Sequence, residues 1–211
     1  VRRSAPIARF VAAAATLVLV VAACGATTGS GAPGASGCAA DVKAAGTYPD
    51  LEALLPHALA GKAPDLVDSG ANCTSGALGT YASHGVSQLR FAGATWQGDN
   101  GDGTVIALMA SAPGQPQVSA AWVEEFYTAG AQNAAHTENI TTTRPAMPGA
   151  GTVFRLETLN NLSLQTVVVW PDGADVWVVI VATTVDPNAS RAAHDQRVEA
   201  AVAAAAAMPA P

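Results

Sequence analysis

The sequence predicts an α+β protein in which an antiparallel sheet of about six strands lies between helical layers. Three observations predict it. Short apolar-rich runs recur through the chain with turn residues between them, the pattern of strands joined by tight connections. Two longer segments repeat their apolar residues at helical spacing instead. The run Val176-Trp177-Val178-Val179-Ile180-Val181 is apolar on both faces, so that strand needs a covering layer on each side.

The elements follow in order from an opening that is not part of the fold. Arg2, Arg3 and Arg9 precede the apolar run Phe10 to Val21 and then small residues, the three-part layout of a secretory signal. The apolar run is shorter than the ~20 residues a membrane span needs. Val21-Ala22-Ala23-Cys24 resembles the lipobox of bacterial lipoproteins. That resemblance implies cleavage before Cys24, diacylglycerol on its sulfur and often acylation of its new amino group. It places the protein on the extracytoplasmic face of the cell membrane, with the membrane itself as first partner. The competing readings are an ordinary signal peptide with an incidental cysteine and an uncleaved membrane helix.

Two further cysteines, Cys38 and Cys73, remain if Cys24 takes lipid. In an exported chain they are expected to form one disulfide. Closing a ring of roughly 35 residues stabilises by about 3 to 4 kcal/mol on the chain-entropy estimate. The alternative is two free buried thiols. No C-x-x-C or nearby histidine accompanies them, so metal binding is disfavoured.

The 211 residues less the signal suit one domain. The chain has ten basic and sixteen acidic residues; removing the three arginines of the opening leaves seven against sixteen, a balance of −9. That sign opposes nucleic acid or anionic lipid as a ligand, because each needs basic side chains to neutralise phosphate. Abundant alanine and glycine, lysine only at Lys43 and Lys62 and a first residue written as valine suggest a GC-rich, actinobacterial genome using an alternative start codon.

Gly25 to Gly37 is uncharged and built of Gly, Ala, Ser and Thr with one proline, so it reads as a flexible tether with a reach of about 20 Å. The expected organisation is a signal peptide over 1–23, a tether over 24–37, one α+β domain over 38–207 and a tail over 208–211. Pro49 and Pro56 bracket a short helical turn with Leu51, Leu54 and Leu55 on one face. A short strand at Leu66 to Ser69 precedes a helix over Ser75 to His84, capped by Thr74 and stopped by Gly85. Val86 to Trp96 and Thr104 to Ala110 form a hairpin around Gly98-Asp99-Asn100-Gly101-Asp102-Gly103. Aligned to a calcium-binding loop, that turn puts Gly98 first and Met109 twelfth, where carboxylates are required, so turn chemistry explains it better.

Val118, Ala121, Trp122, Glu125, Phe126 and Ala129 then predict an amphipathic helix from about Pro116 to Gln132. Four strands follow, Glu138 to Thr143, Thr152 to Thr158, Leu162 to Trp170 and Asp175 to Thr183, and their short turns make a meander. In the second of them Arg155 and Glu157 alternate with Phe154 and Leu156, as for a strand with one wet face. Asp186-Pro187 starts a last helix that Arg191 to Ala207 continues, with Val198 and Val202 on its core face.

Hairpin, helix, four-stranded meander and helix, over Val86 to Ala207, resemble the PsbP-like fold, an antiparallel sheet between helical layers that also occurs in small actinobacterial lipoproteins of the LpqN type. The resemblance implies a fold and carries no site residue with it.

No local motif specifies a reaction. His57, His84, His136 and His194 make no H-x-x-x-H or H-E-x-x-H pair, and His194-Asp195 sits among Arg191, Arg197 and Glu199 on what reads as a wet helix face. The chain has no G-x-S-x-G elbow, phosphate-binding glycine loop or S-x-x-K pattern. Glu124 and Glu125 diverge by about 100° on a helix, which is poor geometry for paired catalytic carboxylates. The N-x-S/T tripeptides at Asn72, Asn139, Asn161 and Asn188 read as loop and strand residues. No catalytic residue, metal site or cofactor is expected. Three classes of function remain: a lipid-anchored binding or accessory protein of the cell envelope, a carrier of an apolar or lipidic small molecule through Trp96, Trp122, Trp170 and Trp177, and an envelope enzyme whose site is assembled from distant residues. The partner is accordingly an unidentified envelope protein or an apolar small molecule.

Overall fold

The computed structural model describes residues 38–160, 163–185 and 191–208. The signal segment, Cys24 and the tether lie outside the described residues, as do Asn161, the Asp186-Pro187 helix start, Asn188 and residues 209–211.

Ten strands are described: β1 Val42–Ala44, β2 Leu66–Asn72, β3 Leu89–Gln97, β4 Gly103–Ser111, β5 Thr137–Thr143, β6 Ala146–Met147, β7 Gly151–Thr152, β8 Phe154–Asn160, β9 Ser163–Asp172 and β10 Asp175–Thr184. The helices are α1 Pro49–Glu52, α2 Ser75–Leu78, α3 Ala120–Asn133 and α4 Arg191–Ala206. Eight strands form one sheet in the order β1-β2-β3-β4-β10-β9-β8-β5, and β6 and β7 pair separately. Every pairing is antiparallel. The expected hairpin is β3-β4, and the expected meander is β5-β8-β9-β10. The sheet joins them where Val179 of β10 sits opposite Ile106 of β4.

Eight strands stand where the sequence predicts about six, and the edge explains the difference. β1 is three exposed residues, Val-Lys-Ala, with no alternation to betray it. β2 runs three residues past Ser69 through Gly70 and Ala71, whose small side chains carry no strand signal. Gly70 is required there: a Cβ on it would stand 1.9 Å from the Val42 carbonyl oxygen of β1.

The two faces of the sheet have separate cores. Trp177, Val179 and Val181 of β10 and Ile106, Leu108 and Ala110 of β4 pack with Leu51 and Leu55 near α1 and with Val198, Ala201, Val202 and Ala205 of α4. The alternate residues, Val176 and Val178 of β10 and Val105 and Ala107 of β4, pack with Val123 of α3 and with Leu78 and Tyr81 after Thr74. A strand apolar on both sides is therefore covered on both sides, as its sequence demands.

Capping is local and legible. The Thr74 side chain accepts from the Ala77 N–H, and Gly85 ends the following turns at φ 79°. Only the first four residues are α-helical; Gly79 to His84 tighten into a 3-10 helix. Helix α3 starts at Ala120, later than Pro116, because Ser119 supplies the cap to the Trp122 N–H.

Candidate functional site

The main polar cluster lies between the first half of α4 and strands β8, β9 and β10. His194 is 3% exposed and Thr166 is fully buried. The His194 Nε2 is 2.7 Å from the Thr166 hydroxyl and its Nδ1 is 2.8 Å from the Thr183 hydroxyl. The wet-face reading of His194 is thus corrected. By helical spacing His194 lies in line with Val198, Ala201, Val202 and Ala205, and by strand alternation Thr183 follows Trp177, Val179 and Val181 on the inner face. Those two periods place a polar residue on each of two facing apolar rows, which is the signal that could have found the contact.

Arg155 and Glu157 share a strand face, but that face is not wet, because α4 lies over it. Glu157 Oε1 accepts from Arg155 Nε at 3.1 Å and Nη2 at 2.6 Å, and both its oxygens accept from Arg191. Arg155 Nη2 also donates to Asp195 Oδ1 at 2.5 Å, and Arg191 Nε stands 3.4 Å from Asp195 Oδ2. The side chains of Arg155 and Glu157 are only 16% and 18% exposed. Burial works to raise the Glu157 pKa, but the Arg191 and Arg155 hydrogen bonds outweigh it and hold the carboxyl below its ordinary value. Asp195 is likewise depressed: burial opposes ionisation, and the bond and charge of Arg155 overcome it. For His194, burial lowers the pKa, and the nearby Asp195 only partly restores it.

A further ion pair holds the next turn of α4. Asp102, from the β3-β4 turn, accepts from the Thr184 N–H at 2.8 Å and from Arg197. This use of Asp102 accounts for the acidic turn that invites a calcium reading. Among the described residues, no group of three or more His, Cys, Asp and Glu is arranged to hold a metal ion.

The pairing predicts that Glu157→Gln lowers stability by about 2 kcal/mol, because two guanidiniums are left facing one carboxylate in a half-buried site. Urea unfolding checks it. A loss under about 0.5 kcal/mol, the range of ordinary surface changes, would mean the cluster is solvated.

The four tryptophans do not share a cavity. Trp96, Trp170 and Trp177 belong to the core on the α4 side, whereas Trp122 packs on the α3 side. Trp96 donates to the Lys62 carbonyl at 2.9 Å, and Trp177 donates to Asp172 at 3.2 Å while stacking on Trp170 at 6.2 Å. Trp122 stacks on the His84 ring at 4.6 Å. Two depressions flank the β9-β10 turn. One of about 280 Å³ includes Trp170, Asp172, Gly149 and Met208. The other, of about 370 Å³, lies between Val118 to Ala120 and Asp175, with none of the tryptophans in its wall. Burial raises the Asp175 pKa there, against the pull of Arg90.

The remaining candidates are dispersed. Glu124 pairs with Arg144 and Glu125 with His84, so the tandem acids face different partners. His57 and His136 are exposed. Asn72 ends β2, and Asn139 occupies a bulge in β5 at φ 51°.

At the start of the domain, Cys38 and Cys73 form a disulfide with Cα atoms 5.7 Å apart. Asp41 reinforces it by accepting from the Cys73 N–H at 2.6 Å, the Thr74 N–H at 2.9 Å and the Thr74 hydroxyl at 2.6 Å. Among the described residues, no helix is long and apolar enough to cross a membrane. No protein-family model, curated protein or solved structure matches the chain.

Proposed function

We propose that the chain is a lipid-anchored extracytoplasmic protein whose single α+β domain works by binding, as an accessory protein of the cell envelope. The observation that carries the reading is the Cys38–Cys73 bridge. It uses two of the three cysteines in the chain, and a structural disulfide belongs to an oxidising compartment outside the cytosol. Cys24 is then the thiol left for lipid, at the end of a signal-like segment and one short tether from the folded domain. Two or more acyl chains hold a soluble domain at a bilayer, at about 0.8 kcal/mol per buried methylene, where one chain gives only reversible binding.

The strand order supports assigning the PsbP-like fold of LpqN-type lipoproteins: a hairpin, a helix, a meander and a closing helix, with helices on both faces. The binding reading draws on where the polar residues are spent. Arg155, Glu157, Asp195, Arg197 and Asp102 hold α4 to the sheet, and Asp41 holds the bridge region.

Anchoring is tested by Cys24→Ala, which is expected to abolish acylation and release of the signal segment at this position. Fully processed, acylated protein from that variant, seen by intact-mass spectrometry, would overturn the assignment. Native mass spectrometry of the exported protein tests the mode of action. A stoichiometric apolar molecule retained through purification would replace the accessory reading with that of a carrier.

A further inference from the structure

We propose that the first half of α4 is an acid-sensitive latch, whose protonation loosens the helix from the sheet and uncovers the apolar surface of β9 and β10 beneath it. Arg155 and Arg191 face Glu157 and Asp195, two positive charges against two negative. Arg197 and Asp102 form another balanced pair one turn along. Strands β9 and β10 present only the hydroxyls of Thr166 and Thr183 to the imidazole. Among the described residues the group is therefore neutral only while His194 is neutral.

A neutral imidazole fits the two hydroxyls completely. One ring nitrogen donates to one threonine, and the other accepts from the second. Protonation turns both nitrogens into donors, so the hydroxyl that was donating must rotate to another acceptor. It also adds a positive charge to a buried site whose two carboxylates are already paired with Arg155 and Arg191, which costs more inside the protein than in water. Burial accordingly holds the imidazole below its ordinary value of 6.5, with Asp195 and Glu157 opposing that shift and Arg191 and Arg155 adding to it.

The sign follows from linkage. Undocked His194 takes its proton near 6.5 and docked His194 only at lower pH, so docking weakens as pH falls below about 6.5. Glu157 and Asp195, both depressed from their ordinary 4.5 and 3.8, then take protons in a second and lower window and lose their hold on the arginines. Both windows act in the same direction.

Helix α4 is the element that responds because it shares no strand ladder with the sheet. Among the described side chains its polar contacts to the sheet are at Arg191, His194, Asp195 and Arg197, and its buried residues beyond them are the small Val198, Ala201, Val202 and Ala205. Lifting it breaks no β pairing, while Val168, Val179 and Val181 lose their cover.

Amide hydrogen exchange of the folded protein between pH 7 and pH 5, with rates normalised to the unfolded chain at each pH, tests the latch. Protection across α4 is expected to fall by up to about tenfold per pH unit below 6.5, the limit for one proton, while the β9-β10 ladder keeps its protection. His194→Gln retains hydrogen-bonding groups without titrating, and its α4 protection is expected to stay level over that range. The proposal is overturned if α4 protection in the unaltered protein is constant from pH 7 to pH 5, if helix and ladder open together, or if His194→Gln shows the unaltered profile. Should that variant not fold, NMR titration of the His194 ring in the unaltered protein decides: its midpoint must coincide with that of the α4 amides, and separate midpoints reject the latch.

Discussion

Trp177→Ala is expected to cost the domain about 3–5 kcal/mol, the range for emptying a buried tryptophan site. Trp177 is 1% exposed on β10, a strand flanked by β4 and β9 in the interior of the sheet. The change removes the partner ring of Trp170, the donor to Asp172 and a side chain that α4 and α1 lack the bulk to replace. Trp177→Phe keeps most of the volume and the stacking but deletes the donor, so its cost should be only about 1 kcal/mol. Urea unfolding of both variants separates packing from hydrogen bonding. A loss below 1 kcal/mol for the alanine variant would mean that the α4 side of the sheet is not the principal core.

The fold was largely readable because its long strands and caps act locally. Val176 to Val181 required two covering layers, Thr74 and Gly85 marked where a helix could start and stop, and Pro171-Asp172-Gly173 marked a hairpin whose turn is Gly173-Ala174, with Pro171 and Asp172 ending β9. The elements that escaped are held by partners distant in sequence. β1 is a strand because the disulfide and Asp41 bring Val42 beside Ala71, and nothing in Val-Lys-Ala predicts it. Arg155 and Glu157 alternate like an exposed strand face, and only the return of α4, 34 residues beyond Glu157 at Arg191, turns that face inward. The burial of His194 is hidden for a related reason. Its charged sequence neighbours suggested solvent, yet helical spacing puts it in line with Val198 and Val202 rather than with Glu199.

The residues of the candidate site were less legible than the fold. Tryptophan content suggested an apolar ligand, but strand alternation already separates the positions: Trp177 and Trp170 point to one face, and Trp122 belongs to the helix on the other. The cluster around His194 carries no motif, since it is drawn from β8, β9, β10 and α4. Its members are ordinary in sequence, and His194, Thr166 and Thr183 stand out only by their burial.

Replacing both Cys38 and Cys73 by serine is expected to lower stability by about 3 kcal/mol, at the lower end of the chain-entropy estimate for a separation of 35 residues. The lower end is chosen because Asp41 closes nearly the same ring without a covalent bond, through three hydrogen bonds to Cys73 and Thr74. For a domain of this size the change corresponds to a fall of about 10 °C in Tm. Asp41 and the bridge should therefore couple: Asp41→Asn is expected to cost more in the serine background than in the bridged protein, because the hydrogen bonds become the main closure of the ring. Gly70→Ala gives an independent view of the same corner. Its methyl group would collide with the Val42 carbonyl, so β1 must leave β2 even with the bridge intact. Loss of amide protection confined to β1 and β2 is the expected result for that variant. Thermal unfolding with and without reductant supplies the decisive comparison for the bridge, and an unchanged Tm would show that it contributes nothing to the folded domain.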